Sequence, residues 1–556
     1  MINRLLNSKT KTVSLAALVL GVSAFFSYVL GALRDNFLAN LLPNRLADVY
    51  WAAFRVPDFI YGLLITGGIT AAFLPVFATH FKDSKESAQR LFKDVFAVFL
   101  LFLIFLSVIF FFLAPYLVHW TVPGFTAEQK EQTVYLMRIM FLSPVILGAS
   151  AIFSGALQYL DLFYAFAFSP IVYNIGILFG ILVLYPLLGL PGLAWGVVLG
   201  ALMHLVVQAF PALRAGFSPG LSLQLKEKEG LWKIFKLMLP RTVSSAAYNI
   251  NLIVITAIAS TLTAGSIKVF NLSNNLYCVP VGLVGVSFAS AVFPALSRSF
   301  ASERKDAFLG IFSRNLKNIV FFILPLSGFL FVLRAQVVRL IYGTQFVTNG
   351  YFGWWETRLT ASSLGVLAVS LFAASLIPLL SRAFFALHDT KQPVKIAVCS
   401  IILNIVTAFL FVALLKNPGH FHNWLAGFLK LNDLPNISVL GLALALSLST
   451  IVQFLWLLMK LRAKLKDLQL IRLKGFLIQT IFATSLATGT VYLTLHLADL
   501  FISTYKVTGL LFQTIAAILA GALVYFLTSW LMGMREPRII WQHLISFLKT
   551  RGQASK

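Results

Sequence analysis

The chain has 556 residues, 59% of them hydrophobic and only 11% charged, with a formal net charge of +25. A water-soluble domain carries roughly a quarter charged residues, so this composition excludes a soluble enzyme or binding module and implies a chain solvated by lipid. Lipid offers backbone groups no partners, so long apolar runs must be helices that close their own hydrogen bonds.

Apolar stretches long enough to cross a bilayer predict about fourteen helices. They fall at 12–33, 47–79, 94–119, 133–159, 163–186, 190–212 and 236–262, then at 267–296, 315–341, 359–386, 393–415, 437–461, 475–499 and 508–533. The second and eighth exceed one bilayer thickness and should tilt or kink. Both hold prolines where a bend can form, Pro57 and Pro75 in one, Pro280 and Pro294 in the other. The first run continues to Arg34–Asp35 with no small-residue cleavage site, so it reads as a retained span.

Basic residues cluster in alternate loops. Lys82, Lys85, Arg90 and Lys93 follow the second span, Arg214 to Lys236 the sixth, Arg298 to Lys317 the eighth, and Lys460 to Lys474 the twelfth. The intervening loops carry one or two each, which places both termini in the cytoplasm. Orientation accounts for most of the positive charge, so nucleic acid is not an expected partner. From Arg535 onward, Ile539, Trp541, Leu544 and Phe547 are mixed with Arg and Lys, predicting a short amphipathic tail on anionic lipid. Cys278 and Cys399 fall inside spans as small apolar residues, and no disulfide or metal framework is evident.

The polar stretch 213–235 divides the first twelve spans into six plus six. This gives an N-lobe over 1–212, a cytoplasmic linker over 213–235 and a C-lobe over 236–461. Two further helices over 462–533 and a basic tail over 534–556 complete the chain. LPVFATHF (74–81) is echoed by FPALSRSF (293–300), each downstream of a Val-Pro pair, which supports two related halves, although IPLLSRAF (377–384) in span ten resembles the same ending. Tandem halves are a common transporter plan.

Ionisable residues inside spans are costly, so each is a functional candidate. Arg34 and Asp35 end span one, while Asp48, Arg55 and Asp58 lie in span two. Arg138 starts span four, Arg241 opens span seven and Lys268 opens span eight. The bias toward Arg and Lys suits an anionic cargo, and guanidinium suits phosphate through paired hydrogen bonds. For Arg34, Arg138, Arg241 and Lys268 the competing reading is snorkelling to headgroups. Asp48, Arg55 and Asp58 share roughly one helical face, either as a structural ion pair or, the favoured reading, as the edge of a polar cavity. Asn249, Asn251, Asn274 and Asn275 add polar positions to spans seven and eight. His204 stands alone and reads as a helix-packing hydrogen bonder. Enzymatic chemistry has little support: no HExxH, GxSxG or Walker loop occurs, and His420, His422 and Asp433 make only a weak cluster.

Five segments in order resemble the MurJ (MviN) family within the multidrug/oligosaccharidyl-lipid/polysaccharide (MOP) exporter superfamily. They are YVLGALRDNFLA (28–39), ADVYWAAFRVPDF (47–59) with GGITAAFLPVF (67–77), VPGF (122–125), VPVGLVGVSFASAVFPALSRSF (279–300) and RAFFALHDTKQPVKIA (382–397). The resemblance implies an all-α, MATE-like membrane protein of two six-helix lobes plus two C-terminal helices. It implies non-enzymatic outward transfer of undecaprenyl-pyrophosphate-linked peptidoglycan precursor across the bacterial inner membrane, and no cofactor and no metal are expected. Arg34, Asp35, Asp48 and Arg55 match family positions, and Arg241, Lys268, Asn274 and Asn275 complete the expected substrate-binding set. Membrane lipids and cell-wall synthases are the implied partners, and a monomer is expected. The chain departs from the family at Tyr28, Tyr61 and Asn275, where many members carry arginine, and at Thr66, where they carry an acid. Family acids of spans seven and eleven are missing, so no sodium site is expected. These departures keep three alternatives open: a flippase for another undecaprenyl-linked glycan, a small-molecule exporter of the same fold, and a non-transporting scaffold for cell-wall synthesis.

Overall fold

The computed structural model describes residues 13–63, 69–220, 226–344, 350–465, 470–501, 506–538 and 542, and among them there is helix and turn but no strand. Among the described residues, eleven helical stretches, some made of two consecutive helices, are long and apolar enough to cross a membrane. The other three expected spans correspond to helices at Val13–Leu41, at Asn44–Tyr61 with Ile69–Asp83, and at Lys228–Ser260. The protein is therefore an all-α, multi-pass membrane protein. Large apolar side chains such as Phe105 and Phe112 stand 62% and 69% exposed along their spans. In water such a surface would aggregate; against acyl chains it is the ordinary exterior.

The chain forms two compact units, residues 1–268 with 345–352 and residues 269–344 with 353–556. The first holds α1 (Val13–Leu41), α2 (Asn44–Tyr61), α3 (Ile69–Asp83), α4 (Lys85–Thr121), α5 (Ala127–Met140), α6 (Leu142–Tyr159), α7 (Phe163–Phe179), α8 (Leu190–Arg214) and α9 (Lys228–Ser260). Local chemistry marks the helix starts. Ser84 accepts the Ser87 N–H at 3.0 Å to open α4, and Thr126 with Gln129 forms a capping box at α5. The α7–α8 pair packs so closely that a Cβ on Gly180 would lie 2.3 Å from the Gly196 Cα, which only glycine permits. At the other end of the unit, Phe73, Phe77, Phe92 and Phe217 are fully buried among one another. Span α9 lies against α2, α3 and α4.

The second unit continues with α10 (Ser266–Pro280, its first turn counted with the first unit), α11 (Ser287–Ala301), α12 (Lys305–Val332), α13 (Arg334–Ile341) and α14 (Trp354–Ala386). It closes with α15 (Lys391–Lys416), α16 (His420–Leu429), α17 (Leu440–Leu465), α18 (Leu470–Asp499) and α19 (Val507–Leu531). Helix α14 is its central element, packed on α12 and α17, while α18 and α19 pair with each other and α18 lies on α12. A buried hydroxyl seam, Tyr277–Ser370–Ser447 with contacts of 3.2 and 3.3 Å, ties α10, α14 and α17 together.

Several expected boundaries shift. Helices α4, α9 and α12 begin eight to ten residues earlier than the apolar runs, because charged first turns extend them beyond the lipid. The ninth expected span breaks at Leu333 into α12 and α13. The bends expected near the span-two and span-eight prolines appear as widened, π-type turns at Gly62–Leu63 and Val281–Val286. The amphipathic tail expected after Arg535 falls almost wholly outside the described residues.

Candidate functional site

The polar centre of the first unit is built on α1, α2, α7 and α9. Late in α1, Arg34 curls back over its neighbour: its Nε and Nη2 donate to Asp35 Oδ1 at 3.0 and 2.8 Å. Its Nη1 donates to Asn174 Oδ1 at 3.2 Å, and Asn174 is itself held by donating to Ser27 Oγ and the Pro170 carbonyl. Asp35 is buried, whereas the Arg34 side chain keeps 25% of its surface. Among the described residues, those three bonds leave two of the five guanidinium N–H groups for a ligand. Tyr50 and Tyr173 lie within electrostatic reach of the same charge.

Arg55, buried on α2, donates from Nε to Thr256 Oγ1 at 2.7 Å, and Thr256 donates on to the Leu252 carbonyl within α9. Asp58, one turn along, is exposed and close enough to feel both Arg55 and Arg34. This differs from the expected Asp48–Arg55–Asp58 stripe. Asp48 turns instead to the start of α10, accepting the Gly265 N–H at 2.6 Å and the Lys268 N–H at 2.8 Å. Both carboxylate oxygens are thus spent on backbone donors that a helix N-terminus leaves unsatisfied. Gly265 adopts φ +94°, a left-handed conformation that lets the turn present its N–H.

Lys268 neither snorkels nor lines a cavity. It is fully buried, with Nζ donating to the Ala39 carbonyl at 2.7 Å and to Asn44 Oδ1 at 3.1 Å, and with the Phe352 ring 5.5 Å away. The reason is that Ala39 lies in the last turn of α1, whose carbonyls attract a cation. In this state Asp48 and Lys268 are buried, and their contacts fasten the start of α10 to α1 and α2. Asn274 and Asn275 lie half-buried on α10 in the second unit. Arg241 sits on α9, but its side chain lies outside the described residues, as does Thr66.

Other candidates are engaged elsewhere. Arg138 donates to the Phe111 carbonyl at 3.2 Å and covers that ring. His204 bonds Ser150 Oγ at 2.8 Å, the helix-packing role expected of it. His422 donates to the Leu415 carbonyl while Asp433 pairs with Arg358, so the weak His–His–Asp cluster is not assembled. Asn174 and Thr256 were missed because an isolated amide or hydroxyl in an apolar run carries no sequence signal of its partner. Motif residues of the connections also find structural roles. The Gly124 N–H reaches Ser260 Oγ at 3.2 Å, and Asp389 accepts the Gln392 N–H at the start of α15 and the Lys464 ammonium.

The family model for "Lipid II flippase MurJ" matches residues 39–515. A probable lipid II flippase MurJ of Rhizobium tropici is 29% identical over 412 residues, covering 72% of this chain and 76% of the relative. The lipid II flippase MurJ of Burkholderia cenocepacia is 26% identical over 416 residues, covering 72% and 79%. Among solved structures, a lipid II flippase MurJ in an inward closed conformation has a TM-score of 0.72 at 22% identity, covering 95% of this chain and 100% of that one. An inward-facing MATE family transporter of the MOP superfamily has a TM-score of 0.62 at 15% identity, covering 80% and 96%. With the family model matching residues 39–515, most of its length, the chain belongs to the lipid II flippase MurJ family.

Proposed function

We propose that this protein is a lipid II flippase, carrying the undecaprenyl-pyrophosphate-linked muropeptide from the cytoplasmic to the outer leaflet of the bacterial inner membrane. Family membership supports the cargo class. The observation that carries the reading at atomic level is Arg34: a guanidinium within a spanning helix, braced by Asp35 and Asn174, with two N–H groups left over and part of its surface open. Guanidinium N–H groups in that fork match the oxygens of a phosphate. Arg55 supplies a second charge on α2, Asn274 and Asn275 add neutral donors from α10, and Arg241 is a further cation of the same set. Asp35 braces Arg34, while Asp48 and Lys268 hold the α1–α2 and α9–α10 connections.

Transport proceeds by alternating access between two lobes, spans one to six and seven to twelve, joined by the cytoplasmic linker 213–235. Both termini are cytoplasmic, no chemical step is catalysed, and the protein works as a monomer alongside cell-wall synthases. Tyr28, Tyr61 and Asn275, standing where many relatives carry arginine, favour one second reading: a different undecaprenyl-linked glycan as cargo. Depleting the protein in cells and identifying the lipid-linked intermediate that accumulates separates the two. Lipid II held on the cytoplasmic leaflet supports the first reading, and another glycan-linked intermediate supports the second.

A further inference from the structure

The connection between α15 and α17 contains α16, a helix of ten residues, about 15 Å long. At about 100° per residue, Phe421, Trp424 and Phe428 fall within about 60° of one another on its surface. Leu425, Ala426 and Leu429 form the adjoining, buried stripe against the protein. His420, Asn423, Gly427 and Lys430 occupy the opposite arc and are exposed. The three aromatic rings are stacked, with centroids 6.1 and 5.8 Å apart, yet Trp424 and Phe428 remain 62% and 60% exposed.

Two observations indicate what covers them. The ladder continues onto a spanning helix: Phe421 stacks at 6.1 Å on Phe411 of α15, beside Val406, Phe409, Leu410 and Leu414, which stand exposed on the same span. That exterior already faces acyl chains, because α15 is a membrane span. Both ends of α16 are also tied down at the span ends. His422 Nδ1 donates to the Leu415 carbonyl at 2.9 Å, and Arg358, in the first turns of α14, holds the Lys430 carbonyl and Asp433. Helices α14 and α15 are joined at their other ends by residues 387–390, so the start of one and the end of the other lie at one membrane boundary.

We propose that α16 is an interfacial helix that lies along this boundary and sinks Phe421, Trp424 and Phe428 into the phospholipid leaflet, at the end of the spans away from the basic loops. Aromatic rings favour that depth, and Lys416 and Lys430 at either end of the helix suit anionic headgroups. The α15–α17 hairpin is thereby fixed at one depth while other elements remain free to move.

The test uses full-length protein with Cys278 and Cys399 replaced by serine, reconstituted in nanodiscs of phosphatidylethanolamine and phosphatidylglycerol. Nitroxide labels are placed singly through Asn423→Cys, Trp424→Cys, Gly427→Cys and Phe428→Cys, keeping only variants that elute as the parent does. Collision rates with oxygen and with a water-soluble nickel chelate are compared. The proposal predicts an oxygen-to-nickel ratio severalfold higher at 424 and 428 than at 423 and 427. Equal ratios, or high nickel access at 424 and 428, overturn it. Low access to both reagents at 424 and 428 with spin–spin broadening also overturns it, in favour of contact with a second copy. Oxidative footprinting of the unmodified protein gives an independent check, with Trp424 protected severalfold in nanodiscs if the proposal holds and as reactive as in free peptide if it does not.

Discussion

At the scale of single residues, Arg34 and Asp48 illustrate two fates of charge inside a membrane. Arg34 is braced but keeps unused donors, so Arg34→Ala should abolish transport while protein abundance stays near the parent level. Each charge-assisted contact to phosphate contributes about 1.5–3 kcal/mol, or tenfold to over a hundredfold in binding. Complementation by the variant, with immunoblotting for abundance, checks this. A silent substitution would remove Arg34 from the cargo path. Asp48 is committed to the Gly265 and Lys268 N–H groups, so Asp48→Ala should lower thermal stability, by about 1–2 kcal/mol from the lost cap alone. Lys268→Met should cost less, because Asp48 keeps its two backbone donors. Melting curves of the purified variants decide the order, and a larger loss at Lys268 would contradict it.

The candidate residues were legible in sequence because charge is rare in these spans, but their partners were not. Asp48 is 217 residues from Gly265, and nothing in either local pattern announces that contact. Spacing alone suggested Arg55 as its partner; the helix N-terminus at α10 competes for the carboxylate and wins, because it supplies two backbone donors in fixed positions. Lys268 was misread for the same reason, since the Ala39 carbonyl that holds it is visible only once α1 and α10 are folded.

At the scale of elements, the apolar runs marked the spans well because bilayer thickness fixes their length. The exact ends were less legible, since polar first turns such as Lys305–Phe308 continue a helix into water without any hydropathy signal. The connection after α14 shows how such ends are fastened. Partial burial opposes charge on Asp389, but the Lys464 ammonium at 2.7 Å and the Gln392 N–H hold its carboxyl below the usual carboxylate range. A carboxylate with a lowered folded-state pKa stabilises above its unfolded value, about 3.9, and that contribution is lost as pH falls through the folded value. Asp389→Asn should therefore be less stable than the parent at pH 7, by about 0.5 kcal/mol, with the gap closing below about pH 4. Thermal melts across that range provide the check, and a gap independent of pH would count against the pair.

At the scale of the whole molecule, the alternation of basic loops predicts that loops 80–93, 213–235, 297–314 and 462–474 face the cytoplasm. Cysteines introduced there, in a background lacking Cys278 and Cys399, should resist impermeant thiol reagents in intact cells, whereas one at Lys130 or Asn417 should react. Labelling of the first set in sealed cells would reverse the orientation. The fold class and family were legible from the chain because both rest on long-range patterns of apolarity and on motifs such as RAFFALHDTKQPVKIA, which the sequence carries whole. How the molecule grips its cargo was not, because that depends on which side chains neighbouring helices have already claimed.

The most direct test of the central claim is transbilayer movement of lipid II in vesicles containing the purified protein. The parent should move lipid II between leaflets faster than empty vesicles do, and Arg34→Ala, inserted to the same density, should fall to the empty-vesicle rate. Movement no faster than in empty vesicles, or equal movement by the parent and Arg34→Ala, would contradict the account.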